Sequence, residues 1–242
     1  MRADGRKPDE LRTVSITPDF VLYPEGSVLI ATGDTKVICN VSIEETIPNW
    51  MLSHEVPGGW VTSEYSMLPR STHSRTPRER SLSGGRAQEI QRIVGRSLRA
   101  AIDLEKLGPR TCIVDCDVLQ ADGGTRTAAI TGGYVALVIA LTDYIKCERV
   151  SKQVIKTEIA AVSVGIVGGL PFLDLCYQED SAADVDINVV MTSSGEFVDI
   201  QGTGENATFS RQDLDQMLKL AYRGIGQLIE AQRQVIDAYI NP

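Results

Sequence analysis

One stretch of the chain joins a strand pattern to a helix pattern through a pair of glycines. Residues Cys112 to Leu119 have the character of a strand, and residues Ala128 to Ile145 form an apolar run that predicts a helix. The loop between them reads Ala121-Asp122-Gly123-Gly124-Thr125-Arg126-Thr127. Glycines at such a junction let backbone amides turn toward an anion, and the helix N-terminus adds partial positive charge. The sequence therefore predicts a strand–loop–helix unit with a candidate phosphate site, although Asp-Gly-Gly is also an ordinary turn.

The side chains of this loop also suit phosphate. Thr125 offers a hydroxyl, and Arg126 offers a two-pronged guanidinium that matches phosphate oxygens. A second loop of the same kind, Ser83-Gly84-Gly85-Arg86, precedes another helix-like run. Two such loops in similar positions indicate that the chain binds phosphate groups.

An acidic segment from Glu179 to Asp186 lies downstream of both loops and also contains Asp180 and Asp184. Clustered carboxylates suit a hard cation such as Mg²⁺, which prefers oxygen ligands and often bridges a carboxylate to a phosphate. Taken alone, an acidic run of this kind is more commonly a solvated loop. Combined with two arginine loops, it indicates phosphoryl-transfer chemistry.

Positive charge is concentrated in one part of an acidic chain. The stretch from Arg70 to Arg99 holds eight arginines and two glutamates, formally +6, which leaves −14 for the rest of a chain whose net charge is −8. A basic patch on an acidic body is typical of a protein that binds a polyanion, and arginine favours directed phosphate contacts. The alternative is a solvated helix face, but the segment from Arg70 to Arg80 is rich in Ser, Thr and Pro and predicts a loop.

Composition excludes several other classes of protein. The five cysteines lack paired metal-ligand spacing, and two histidines are too few for a histidine-rich metal site. We expect no signal peptide, since no apolar segment follows the first residues, and no segment long and apolar enough to cross a bilayer. We therefore expect a cytoplasmic protein with buried free thiols and no membrane partner.

Hydrophobic periodicity and turn residues predict the remaining elements. The predicted strands are Ser27–Thr32 and Lys36–Ser42 around a Gly33-Asp34 turn, Trp60–Tyr65, Ile159–Val167, Phe172–Tyr177 after a Gly168-Gly169 turn, Ile187–Met191 and Glu196–Gln201. The predicted helices run from Ala87 to about Leu107 and from the candidate N-cap Ser210 to about Tyr239. Strands are grouped and helices interspersed, without repeats or linkers, so we expect one mixed α/β (α+β) domain over residues 1–242.

The order of the motifs resembles the ribonuclease PH family of phosphate-dependent 3′-to-5′ exoribonucleases. The matching segments are Met1-Arg2 with Gly5-Arg6, Glu25–Val28, Gly33–Val37, Met67–His73, Cys116–Thr127, Glu179–Ala183, Asp186–Thr192 and Ile200–Thr203. The long central block and the shared order make the resemblance specific. It implies a ribonuclease PH-type fold in which a mixed sheet packs against helices in a split βαβ arrangement.

The resemblance also implies a reaction and its site residues. Inorganic phosphate would attack the last phosphodiester of an RNA, release a nucleoside diphosphate, and in reverse add nucleotides from nucleoside diphosphates. The implied phosphate-binding residues are Arg86, Gly124, Thr125 and Arg126, and the implied catalytic residues are Arg126, Asp180 and Asp186. The two aspartates would hold Mg²⁺, or one of them would act as a general acid toward the leaving oxygen; Asp184 ranks behind both.

The implied partners are RNA and further copies of the chain. Arg70, Arg75 and Arg78 match arginines that the family uses on RNA, with the 3′ ends of tRNA precursors as usual substrate and ribosomal RNA ends as another. The family forms a homohexamer, a trimer of dimers, which would gather six copies of the arginine loop; DNA and membranes are not expected as partners.

Three alternatives remain open at this point. The first is a catalytic subunit of an exosome-type complex, which has the same chemistry but needs a different partner subunit. The second is a catalytically silent RNA-binding subunit, although such a protein should have lost one of Arg126, Asp180 or Asp186. The third is a hydrolytic nuclease that activates water at the acidic segment, but that enzyme has no use for two phosphate-binding arginine loops.

Overall fold

The computed structural model describes residues 2, 4–78 and 85–241. It contains two β-sheets, and one buried helix, Thr125–Lys146, contacts both of them. The first sheet has the strand order β1-β2-β3-β5-β4, and only the β4–β5 pair is parallel. Its strands are β1 (Val14–Pro18), β2 (Gly26–Thr32), β3 (Thr35–Glu44), β4 (Trp60–Met67) and β5 (Thr111–Gln120). The β2–β3 hairpin turns at Gly33 and Asp34, as the sequence predicts.

The second sheet is antiparallel throughout and has the order β7-β6-β8-β9. Its strands are β6 (Ile159–Val167), β7 (Leu170–Leu173), β8 (Val185–Thr192) and β9 (Phe197–Gly204). The return strand predicted from Phe172 to Tyr177 ends early, because Asp174 adopts a left-handed φ of 56° and its carboxylate accepts hydrogen bonds from Arg12. Tyr177 instead begins a short helix.

The helices in the described part of the chain fill the space around the two sheets. They are α1 (Asn49–Ser53), α2 (Gly85–Ala101), α3 (Leu104–Leu107), α4 (Thr125–Lys146), α5 (Tyr177–Asp180) and α6 (Arg211–Ile240), with a 3₁₀ turn at Lys152–Val154. Helix α6 begins at the predicted cap: the Ser210 hydroxyl accepts from the Asp213 amide at 3.2 Å, and the Asp213 carboxylate accepts from the Ser210 amide at 2.9 Å. Its apolar face packs on the second sheet.

Helix α4 corrects the expectation that no segment is apolar enough to cross a membrane. It has 22 residues, and a window of 18 of them has a mean hydropathy of 1.6, which meets the length and composition of a span. However, 83% of that window is buried inside the protein, where α4 packs against β2, β3 and β6. A buried core helix passes the same test, so this finding is weak evidence for a membrane span.

The helix predicted from Ala87 to Leu107 is interrupted. It ends at Ala101, where Ile102 forms an isolated antiparallel bridge with Ile155, and the chain restarts as α3. The Asp103 carboxylate accepts from the Lys106 amide at 3.2 Å and caps the new helix.

The prediction that the free thiols are buried is confirmed for four cysteines. It is wrong for Cys147, which is exposed.

Candidate functional site

The predicted phosphate loop turns sharply between β5 and α4. Gly123 has a φ of 73° and Gly124, the residue that precedes α4, has a φ of 64°, both in the left-handed region. A Cβ atom on Gly123 would lie 2.6 Å from the Leu175 carbonyl oxygen. Glycine is therefore required at position 123 by both the backbone conformation and the close approach of another segment.

Replacing Gly123 with alanine is expected to lower the free energy of unfolding by about 3 kcal/mol or more, because the strained φ and the backbone clash add. Gly168 provides the matched control, since its φ is 57° and an added Cβ would meet no atom within 4 Å. Its replacement by alanine should cost only about 1 kcal/mol of conformational strain. Urea unfolding of both variants measures the difference, and equal losses would contradict the close-approach argument.

Hydrogen bonds from distant segments fix the same loop. The Thr35 hydroxyl donates to the Gly123 carbonyl at 2.6 Å and accepts from the Asp122 amide at 2.9 Å. Arg12 donates through Nη1 to the Asp122 carbonyl at 2.5 Å. Asp122 in turn accepts from the Tyr177 amide at 3.2 Å, which ties the loop to α5. The N-terminus of α4 is thus presented as a rigid group of donors.

The loop forms one wall of a cavity of about 420 Å³. The cavity brings together the predicted phosphate-binding residues and the predicted pair of carboxylates. Its lining is Met67, Thr72, His73, Ser74, Arg86, Ala121, Gly123, Gly124, Thr125, Arg126, Ser163, Tyr177, Asp180, Asp186 and Asn188. Residues from both sheets and from α2, α4 and α5 therefore meet at one place.

Two neutral side chains hold the residues at the start of α4. The Tyr65 hydroxyl lies 2.8 Å from the Thr125 hydroxyl, and Tyr65 is buried. Burial raises the pKa of the Tyr65 phenol, which keeps it uncharged at neutral pH. Arg126 donates through Nη1 to Oε1 of Gln201 on β9 at 3.1 Å. Neither contact neutralises the positive charge at this end of the cavity.

The two aspartates face this charge from α5 and β8. Burial, and then the nearby charge of Asp180, raise the pKa of Asp186 to about 6. Burial also raises the pKa of Asp180, while the charges of Arg86 and Arg126 oppose that shift. Oδ1 of Asp186 is buried without a hydrogen-bond partner, and Oδ2 accepts from Asn188 at 3.3 Å. An orphaned carboxylate oxygen beside a second carboxylate suits a cation.

Glu179 and Asp184, the other acidic residues of the segment, do not line the cavity. Glu179 is buried and accepts two hydrogen bonds of 2.7 Å from the guanidinium of Arg2, so it anchors α5 and is absent from the cavity lining. Asp184 also lies outside that lining. The acidic segment is therefore not one solvated loop, since it divides into an anchor and a pair of cavity carboxylates.

Sequence reasoning missed the buried arginines that support the site. Arg12 donates to both carboxylate oxygens of Asp174, at 3.0 and 2.6 Å, and the Arg2 guanidinium also donates to the carbonyls of Leu173 and Asp174. The partners are more than 160 residues apart in the chain. The only available signal was the Arg2 and Arg6 motif of the family resemblance, which gave no partner.

The predicted RNA-binding arginines are absent from the cavity lining, and one of them, Arg78, lines a second cavity. Arg70, Arg75 and Arg78 are exposed, and Arg70 donates through Nη1 to the His73 carbonyl at 2.5 Å. Residues Thr72 to Ser74 of the same loop line the cavity. In the chain, the exposed arginines therefore flank the residues of the loop that line the cavity. Arg80, Ser83 and Gly84 fall outside the described residues, whereas Arg86 is described and lines the cavity.

The arginine-rich stretch continues along α2 as Arg92, Arg96 and Arg99, which differ in their contacts. Arg92 is exposed, but Arg96 pairs with Asp199 at 2.9 Å. Arg99 lies over the Trp60 ring at 4.3 Å and donates to the Val61 carbonyl at 2.8 Å. Two of these three arginines therefore join α2 to other elements.

Solved structures of similar shape cover nearly the whole chain. Rice Rrp46 has a TM-score of 0.79 at 20% identity, covering 98% of this chain and all of that chain. An Archaeoglobus fulgidus exosome with RNA bound to the active site has a TM-score of 0.78 at 24% identity, covering 95% of this chain and 91% of that chain. At such identities these likenesses concern the fold alone.

Sequence relatives are much more similar. The ribonuclease PH of Bacillus subtilis (strain 168) is 55% identical over 240 residues, which cover 98% of this chain and 97% of that protein. The ribonuclease PH of Bacillus mycoides (strain KBAB4) is 55% identical over 244 residues, covering all of this chain and 99% of that protein. Models of the 3′ exoribonuclease family match residues 10–142 as domain 1 and residues 157–224 as domain 2. The prediction of a single domain over 1–242 stays a prediction, but the chain belongs to the ribonuclease PH family of 3′ exoribonucleases.

Proposed function

We propose that the chain is a phosphorolytic 3′-to-5′ exoribonuclease that shortens the 3′ ends of tRNA precursors and releases nucleoside diphosphates. One observation carries this proposal: a single cavity holds Arg86 and Arg126, the N-terminus of α4, and the paired carboxylates of Asp180 and Asp186. Anion donors on one wall and carboxylates on the other suit a reaction between two phosphate groups. The relatives at 55% identity carry the name ribonuclease PH, which supports the same activity.

The cavity can hold phosphate as the attacking group. The amide of Gly124, the hydroxyl of Thr125 and the guanidinium groups of Arg86 and Arg126 are donors suited to phosphate oxygens. Phosphoryl transfer depends mainly on positioning and charge neutralisation, so a nucleophilic side chain is not required. An attacking phosphate oxygen would form a bond to the terminal phosphorus while the 3′ oxygen of the preceding nucleotide leaves.

The paired aspartates fit a divalent cation. Asp186 offers a buried oxygen without a hydrogen-bond partner, and the repulsion between Asp180 and Asp186 would be relieved by a positive ion. Among the described residues no group of three or more His, Cys, Asp or Glu side chains could hold a metal, so water and phosphate oxygens would complete the coordination. When bound, Mg²⁺ would neutralise charge on the scissile phosphate and the leaving 3′ oxygen. A general-acid role for one aspartate remains the alternative.

Arg70, Arg75 and Arg78 would guide RNA toward the cavity, because they are exposed on the loop whose residues Thr72 to Ser74 line it. A homohexamer, built as a trimer of dimers, would gather six such loops around one opening and concentrate positive potential on an acidic protein. Structured ribosomal RNA ends are a second class of substrate for this surface.

Replacing Arg70, Arg75 and Arg78 together with alanine is expected to reduce the dependence of RNA affinity on salt. The plot of log K against log salt has a negative slope, and the loss of three phosphate contacts to a single strand should reduce the magnitude of that slope by about 2. Fluorescence anisotropy with a labelled single-stranded RNA over a range of salt concentrations measures this slope. The matched lysine triple variant keeps the charge and should retain most of the slope. An unchanged slope in the alanine variant would remove these arginines from the RNA path.

The alternatives make different predictions about assembly and products. An exosome-type subunit would be inactive without a second kind of subunit, whereas the proposed enzyme should be active as a homogeneous hexamer. A silent RNA-binding subunit would bind RNA and release no nucleotides. Such a subunit should have lost one of Arg126, Asp180 or Asp186, and all three line the cavity. A hydrolase would release nucleoside monophosphates.

The deciding experiment is a product assay on a tRNA with a short labelled 3′ extension, with Mg²⁺, with and without inorganic phosphate. We expect nucleoside diphosphates that appear only when phosphate is added. Monophosphates released without phosphate would identify a hydrolase and overturn the proposal. Light scattering on the same preparation tests for a homogeneous hexamer.

A further inference from the structure

Arg126 has a neutral side-chain partner, unlike three other arginines of the structure that pair with carboxylates. Arg2 pairs with Glu179, Arg12 with Asp174, and Arg96 with Asp199, at distances of 2.7, 2.6 and 2.9 Å. Arg126 instead donates to the side-chain amide oxygen of Gln201 at 3.1 Å. Within the described part of the chain, no carboxylate forms an ion pair with Arg126 at 4.0 Å or less.

This difference matters for an arginine that must bind an anion. An amide oxygen accepts one N–H bond and carries no net charge, so it orients the guanidinium and leaves its positive charge available. A carboxylate at the same position would accept two parallel N–H bonds and offset that charge. It would then compete with phosphate for the same donors.

The fold could supply a carboxylate to this surface of β9. Gln201 lies two residues beyond Asp199, and side chains two apart on a strand point to the same face. Asp199 does pair with an arginine, Arg96 of α2. In the register of the sheet, Gln201 lies opposite Asn188, whose amide donates to Asp186. Two neighbouring amides therefore contact the charged groups of the cavity, one an arginine and the other an aspartate.

We propose that Gln201 is a positioning residue that holds Arg126 in place for inorganic phosphate without neutralising it. The inference rests on the proposed phosphorolytic function and adds a residue that determines affinity for the phosphate co-substrate. A uniformly structural role for Gln201 would make the neutral and the charged replacement similar in effect. An electrostatic positioning role makes the isosteric carboxylate the worse of the two.

The test compares Q201M and Q201E with the wild type and with D199N, which breaks only the Arg96 pair. We expect the KM for phosphate to rise on the order of fivefold in Q201M, which loses the acceptor, and on the order of fiftyfold in Q201E. The KM for RNA should stay within about twofold in both, and D199N should match the wild type in its KM for phosphate. The shift of the melting temperature by inorganic phosphate gives a second readout that needs no catalysis.

Each outcome bears on one of the two ideas. If the wild type releases no nucleoside diphosphate, the proposed function fails. The shift of the melting temperature by phosphate then still tests the role of Gln201, because it compares the variants without catalysis. A shift that is large in the wild type, smaller in Q201M and absent in Q201E supports the inference. Equal effects of Q201M and Q201E, or tighter phosphate binding by Q201E, overturn it. Should Q201E not fold, an unchanged phosphate affinity in Q201M overturns it.

Discussion

Replacing Arg126 with alanine is expected to lower kcat/KM for phosphate by about a thousandfold or more, because a preorganised guanidinium in a phosphoryl-transfer site contributes that much. The fold should be retained. Among the described residues Arg126 makes one hydrogen bond, to Gln201 at 3.1 Å, and no ion pair within 4.0 Å, although its charge also favours the charged forms of Asp180 and Asp186. Release of nucleoside diphosphates over a range of phosphate concentrations measures the loss, and the melting temperature checks the fold.

The control for this variant is Arg223→Ala. Arg223 is an exposed arginine of α6 that pairs with Asp9 at 2.9 Å, and it lies outside the cavity lining. Its loss should leave the kinetics within about twofold, since exposed ion pairs contribute little. Phosphorolysis retained in Arg126→Ala at more than about a tenth of the wild-type rate would refute the assignment of the phosphate site.

Replacing Asp186 with asparagine is expected to abolish activity and to stabilise the protein. The pKa of Asp186 rises from 3.8 to about 6 on folding, chiefly through burial. The folded state therefore favours the protonated carboxyl, and stability is lost as pH rises from about 4 through about 6. Above that pH the charged Asp186 costs about 3 kcal/mol, which the uncharged amide removes.

Urea unfolding of Asp186→Asn and of the wild type at several pH values, with EDTA present, measures this effect. The gain should be largest at pH values above about 6 and should shrink toward pH 4, where both proteins are uncharged at this position. Asp184→Asn is the matched control from the same acidic segment, because Asp184 lies outside the cavity lining. A destabilised Asp186→Asn at neutral pH, or an activity loss in Asp184→Asn as large as that in Asp186→Asn, would contradict this assignment.

The sequence predicted the parts of the fold that depend on local patterns. The strand–loop–helix unit around Gly123 and Gly124, the β2–β3 hairpin and the cap at Ser210 all follow from short-range spacing of apolar residues and turn residues. The break between α2 and α3 did not follow, because the helical periodicity continues through Ile102 and only the bridge to Ile155 shows the interruption. Tertiary pairing overrode a local preference there.

The site residues also fall into two groups, those that the local sequence predicts and those that depend on distant segments. Thr125 and Arg126 could be predicted, since their neighbours in sequence present them at a helix N-terminus. The roles of Glu179 and Gln201 could not, because each depends on a partner from a distant segment. A cluster of acidic residues gives no sign of which carboxylate meets an arginine and which faces a cavity. That distinction arises only when Arg2 packs beneath α5.

The long-range ties around the cavity also set the order in which the site can be completed during synthesis. A ribosome delivers the loop at Gly124 and Arg126 well before Asp174, Asp180 and Asp186, and Gln201 emerges last. Arg12 is synthesised 162 residues before Asp174, the residue whose carboxylate it binds. A nascent chain thus acquires its anion-binding donors first and its carboxylates only when most of the polypeptide has been made. Any RNA that such an unfinished chain meets encounters basic loops without the groups that complete the cavity.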